Sequence, residues 1–317
     1  MRRDGQTTVK RRVFAAAIGW LLLSIVTAGA ADLRVLTTAD GLPSNWVTAL
    51  AAAPDGKLWI GAGDAGVYVI DPATRKGKGY RAADGLSSDA VVSIASFGGK
   101  VYVGTAAALS VFDGNAWETI GKVENVTMRN VRVAASPDGK QLWACSVYLA
   151  GGTVRFDGNA WKFMGGEGRG LFNDVQGFAF LPEGVLLGDG SGAAYLHTGT
   201  DVRSLSEGIP ATNVFSAAAY KGKGLLGAGR GLFEYDGRWK PFSLPASVAG
   251  APVFALAAQG DRLVAGTANG LASSEAGTVK AMGTKDGLPA ARVTAVALGP
   301  GYVAAGTARG VALIRGW

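Results

Sequence analysis

From Asp32 to Trp317 the chain repeats itself about every 40 residues, and this periodicity constrains the fold more than any other feature of the sequence. The clearest copy runs from Gly41 to Asp71, GLPSNWVTALAAAPDGKLWIGAGDAGVYVID. Within it Val47 to Ala53 is a small-apolar run, Pro54-Asp55-Gly56 a turn, Leu58 to Ala62 a second run and Val67 to Ile70 a third. These read as antiparallel strands, with a fourth expected at Gly79 to Ala82. Four short antiparallel strands per unit make one propeller blade.

A glycine closing the second strand can be followed as Gly61, Gly104, Ala144, Gly188, Gly227, Gly266 and Gly306, at spacings of 43, 40, 44, 39, 39 and 40. Seven marks predict seven blades. The outer hairpins repeat as Phe112-Asp113-Gly114, Phe156-Asp157-Gly158 and Tyr235-Asp236-Gly237, and Trp117, Trp161 and Trp239 are expected to open the fourth strands. The last copy stops at its third strand, Gly310 to Ile314, whereas Leu33 to Leu36 has no blade of its own. The fold expected is therefore all-β, a seven-bladed β-propeller of four-stranded antiparallel blades closed by the N-terminal strand, which removes an exposed edge.

Residues 1–30 read as a secretory leader. Arg2, Arg3, Lys10, Arg11 and Arg12 precede an apolar run from Val13 to Val26, and Ala28-Gly29-Ala30 offers a cleavage site. The apolar run is shorter than the roughly 20 residues a membrane span needs. The Arg11-Arg12 pair partly matches a twin-arginine signal, so either that route or the general secretory one is open. The expected domains are thus a signal peptide over 1–30 and a propeller over 31–317, with a periplasmic or secreted location and no membrane span after cleavage. No output module is expected beyond Trp317.

Five of the 31 basic and one of the 24 acidic residues lie in the leader, which leaves 26 against 23, a net +3. With no basic run interleaved with aromatics, nucleic acid is not an expected partner. Cys145 is the only cysteine, so no intramolecular disulfide forms. His197 is the only histidine, which excludes metal sites built on two imidazoles and leaves one ring for any triad. It falls in the outer half of blade 4, where a surface or turn role is expected. Most aspartates precede glycine in hairpins (Asp55, Asp113, Asp138, Asp157, Asp236) and read as turn residues. No catalytic residue, metal site or cofactor is predicted.

Binding is expected on the face built by the loops before each inner strand and the loops between second and third strands. These loops carry Asn45, Trp46, Asp64, Asp89, Arg129, Asn130, Asn173, Asp174, Asp189, Asn213, Arg230, Asn269, Arg292 and Arg309. The tentative ligand set is Asn45, Trp46, Asp64, Asp89, Arg129, Asn173, Asn213, Arg230, Arg292 and Arg309. Three of its arginines, Arg230, Arg292 and Arg309, suit a carboxylate or sulfated sugar, and Trp46 a sugar ring. Asn and Asp before inner strands also have a purely structural use, capping the backbone of the connection.

The segments GLPSNWVTAL and GKLWIGAGDAGVYVID resemble the repeat of the two-component regulator propellers, the periplasmic sensor propellers of bacteria. The resemblance implies a non-catalytic, ligand-binding or sensor-type module that takes a small anionic or glycan ligand, or an exported or membrane protein partner. Two further readings stand beside it: a docking scaffold for another exported protein, and a hydrolase or lyase of acidic polysaccharides using Asp64 or Asp89 as acid or base.

Overall fold

The computed structural model describes residues 32–147, 151–165, 172, 174–199, 201–209 and 213–317. The expected leader and Asn173 lie outside the described residues. Seven four-stranded antiparallel sheets stand in ring order, over residues 49–80, 91–120, 131–163, 175–204, 214–241, 253–282 and 293–315. They are numbered here as blades 1 to 7. Blade 7 takes its outermost strand from the other end of the chain: Asp32–Leu36 pairs antiparallel with Gly310–Arg315, Leu33 opposite Ile314 and Val35 opposite Ala312. Each innermost strand packs against the innermost strands of the two adjacent blades, and Val293–Gly299 meets Ala49–Ala52 to close the ring.

The core lies between blades. Seven separate clusters of buried side chains each join two adjacent sheets, as where Trp59 and Val67 of blade 1 meet Ile94, Val103 and Phe112 of blade 2. The recurring glycine makes this contact close. Gly61, Gly104, Gly227, Gly266 and Gly306 pair with equivalent inner-strand positions. A Cβ on Gly188 would stand 2.6 Å from Val214 Cγ1, and one on Gly104 only 2.0 Å from the carbonyl oxygen of Val131. Only glycine lets the next blade's valine seat at this distance.

The recurring Asp-Gly-Leu builds the blade connections. Asp40, Asp84 and Asp286 each end a short 3-10 turn and accept a backbone N–H three residues back, from Thr37 at 3.0 Å, Arg81 at 2.8 Å and Gly283 at 2.8 Å. The glycine that follows is left-handed (Gly41 at φ 97°, Gly85 at 104°), and the leucines behind it are buried. This turn shifts the fourth strand of blade 1 to Gly77–Tyr80, two residues earlier than the sequence pattern suggests, because Ala82–Asp84 is already 3-10 helix. The expected starts at Trp117, Trp161 and Trp239 agree with the structure.

Candidate functional site

The loops that enter the inner strands are bonded to the turns between second and third strands. Gly310 N–H donates to the Asn45 carbonyl at 2.8 Å, Gly66 to Asp89 at 2.9 Å, Gly190 to Asp174 at 2.9 Å and Gly229 to Asn213 at 3.0 Å. Both loop sets therefore share one face, on which the central channel opens.

On that face several predicted residues are tied up in structure. Asn45 Oδ1 accepts from Thr38 N–H at 2.8 Å and Asp89 Oδ1 from Ala82 N–H at 2.7 Å, each holding the start of a 3-10 turn. Asp189 takes Ser191 through its N–H and its hydroxyl. Among the other predicted residues Asp64, Arg129, Asn130, Asn213, Arg230, Asn269 and Arg309 are exposed. Trp46 is 52% exposed and lies against the backbone of Gly63. Arg292 is exposed too, but its guanidinium sits 4.2 Å over the ring of Phe254, which fixes it at the channel rim.

Channel residues absent from the sequence-derived set complete the site. In five blades the inner strand carries a bulge near its start, and the unpaired residue lines the channel: Val92, Gln176, Phe215, Phe254 and Thr294. A bulge re-aims a side chain in this way at the rims of closed β structures. In blade 3 the second strand has one more residue, Cys145, opposite Arg132; no bulge forms, and Arg132 takes the channel position. Thr48 fills it in blade 1. The signal was present in the sequence as the residue after each repeat valine (Val47, Val91, Val131, Val175, Val214, Val253, Val293), but the strand pattern alone does not say that it faces inward.

The channel holds about 190 Å³. Three of its hydroxyls join blades: Thr48 Oγ1 donates to the Val91 carbonyl at 2.8 Å, Ser93 Oγ to that of Val131 at 2.7 Å and Thr294 Oγ1 to that of Val47 at 2.8 Å, whereas the buried Ser216 Oγ has no hydrogen-bond partner. Arg132 is different. Its Nε donates to Gln176 Oε1 at 3.1 Å and its Nη1 to the Val92 carbonyl at 3.3 Å, both neutral acceptors. Gln176 Nε2 in turn donates to Asp174 Oδ1 at 2.5 Å, so the nearest acid reaches the guanidinium only through an amide. Burial lowers the Arg132 pKa and the Asp174 charge partly restores it. Phe215 and Phe254, 5.2 Å apart, form an aromatic wall of the same channel.

His197 is buried rather than at the surface: its Nδ1 accepts from Gly199 N–H at 3.0 Å and its ring meets Trp143 edge-on at 5.2 Å. The turn role expected of it is what this bond provides. Cys145 is fully buried, its thiol donates to the Phe172 carbonyl at 3.3 Å, and burial pushes its pKa up to about 11. Among the described residues no three His, Cys, Asp or Glu side chains gather as a metal site would require, and no helix is long and apolar enough to cross a membrane.

No curated protein matches the sequence. Among solved structures, the extracellular domain of the hybrid two component system BT3049 from B. thetaiotaomicron superposes with a TM-score of 0.72 at 17% identity, over 89% of this chain and 40% of that one. The extracellular domain of the one component system BT4673 from the same organism gives 0.69 at 17%, over 90% and 40%. Streptogramin B lyase gives 0.68 at 11%, over 90% and 97%. The chain thus spans 40% of the length of either sensor chain, and identities this low establish a shared fold. Residues 41–64 match the two component regulator propeller model, so blade 1 carries that repeat within a β-propeller of the kind found in the extracellular domains of such sensors.

Proposed function

We propose that this propeller is an exported, non-catalytic ligand-binding module of the sensor type, and that a small anionic ligand enters the channel from the loop face with its acid group toward Arg132. One observation carries the reading: a guanidinium placed in the channel with two neutral acceptors and, among the described residues, no carboxylate at ion-pair distance. A desolvated cation without a direct counter-charge is costly, and an incoming carboxylate offsets that cost with charge-assisted bonds. Phe215, Phe254 and Arg292 at the rim suit a ring carrying the acid, as in a uronic acid, and 190 Å³ admits one such unit rather than a chain.

The non-catalytic part of the reading rests on how the reactive groups are used. Of the two aspartates offered by the sequence as acid or base, Asp89 is bonded to Ala82 and Asp64 stands exposed to solvent, while His197 and Cys145 are buried in blade packing. The extracellular placement of the sensor domains it resembles, together with the basic and apolar leader, supports a periplasmic location.

The test is a thermal-shift series of residues 31–317 with uronic acids, dicarboxylates and neutral sugars, repeated with Arg132→Gln. Ligand at 100 times its Kd should add about 2.7 kcal/mol. The reading requires protection by acids, little by neutral sugars, and its loss in the variant. Equal protection of both proteins, or none by any acid, defeats it, and capture of a stable partner protein in that event would favour the docking scaffold.

A further inference from the structure

The face opposite the loops carries a second opening, a cleft of about 630 Å³ between the turns that join first and second strands in blades 1, 2 and 3. Its floor is aromatic. Trp59 and Tyr80 stack with centroids 6.1 Å apart and planes 7° from parallel, and Phe112 lies 5.0 Å from Tyr80 and 5.7 Å from Trp59. Such a floor favours a flat apolar body, which meets ring faces at little entropic cost.

The rim is cationic. Lys57 is held by Asp55 at 2.6 Å and that pair is neutral, whereas Lys100 has no ion pair among the described residues. Ser96, in the lining, has a buried hydroxyl with no hydrogen-bond partner. The wall beside it is the Gly98-Gly99 turn, where a Cβ would meet nothing within 4 Å. An ammonium outside any ion pair, an orphan hydroxyl and an aromatic floor are complementary in charge and polarity to one class of ligand.

We propose that this cleft is a second binding site, independent of the channel, for a small aromatic carboxylate: its ring on the Trp59, Tyr80 and Phe112 cluster, its acid group between Lys100 Nζ and Ser96 Oγ. A carboxylate there gains a charge-assisted bond and supplies the acceptor that Ser96 lacks.

Titration calorimetry with 2-naphthoate as probe, and 2-naphthamide as its neutral counterpart, tests the site. The wild type should bind the acid saturably and the amide about tenfold less tightly, the worth of one charged contact. Lys100→Ala, a change at an exposed strand end, should lower affinity for the acid about tenfold and leave the amide unchanged. Ser96→Ala, which removes no bond from the folded protein, should weaken the acid by a smaller factor, and Arg132→Gln should leave it intact. No saturable heat at millimolar naphthoate, equal affinity for acid and amide, or undiminished binding by Lys100→Ala overturns the proposal. Loss of naphthoate binding in Arg132→Gln alone would assign the ligand to the channel and overturn it as well.

Discussion

Gly104 of blade 2 lies so close to Val131 of blade 3 that a methyl group on it would stand 2.0 Å from the Val131 carbonyl oxygen. The obstacle is backbone, which cannot rotate aside as a side chain does. Gly104→Ala should therefore destabilise the ring by about 3 kcal/mol, at the upper end of overpacking costs, whereas Gly61→Ala, which meets Val91 Cγ1 at 2.7 Å, should cost less. Urea midpoints of the two variants, compared with wild type, check the order.

Arg132 should be a liability to the empty protein. Replacing a desolvated charge by an apolar side chain of similar length is often neutral or stabilising, so Arg132→Met should match or exceed the wild type by about 1 kcal/mol without ligand, yet gain nothing from uronic acids. Melting curves in buffer and in ligand separate the two effects.

His197 should make stability fall between neutral and mildly acid pH. Burial lowers its pKa below that of the unfolded chain, so on acidification the unfolded state takes up the proton first. Stability is full above the unfolded value of about 6.5 and declines as pH drops from there through the lower folded value. The hairpin carboxylates Asp113 and Asp157, with pKa values lowered by backbone N–H donors, act only below about pH 4. His197→Gln should flatten the curve of urea midpoints between pH 7 and 5.

Cys145 should be inert in the folded protein. Its thiol is fully buried with a pKa raised to about 11, so thiolate is scarce at pH 8. Ellman's reagent should find no thiol until denaturant is added, and then one per chain. Reaction at the native stage would mean that blade 3 opens locally.

The aspects of this protein written in its sequence are those repeated seven times. Trp117, Trp161 and Trp239 mark fourth strands because each follows an Asp-Gly hairpin, and the glycine marks pair as equivalent positions because each makes the same close contact. Asn45 and Asp89 were legible as polar loop residues, yet their partners, Thr38 and Ala82, lie in 3-10 turns that a period-2 reading passes over. Arg132 was missed for a different reason. The residue after each repeat valine lines the channel whether it is bulged out of the ladder, as Gln176 is, or paired across it, as Arg132 is with Cys145, and strand alternation alone does not reveal this. The hairpin of Lys122–Val123 and Val126–Thr127, which reaches Phe163 N–H through Glu124, occurs in one connection among the described residues, so no repeat marks it in the sequence.

The pairing of Asp32–Leu36 with Gly310–Arg315 has a consequence in time as well as in space. Asp32–Leu36 is made long before its partner Gly310–Arg315 and must wait for it, so six blades can assemble in order while the seventh stays an open, three-stranded edge. Closure is the most nonlocal event available to this chain, and nonlocal pairing is slow. Until it occurs the blade 7 face that will receive Leu36 is bare, and the protein is more exposed to misassociation at that moment than at any later one.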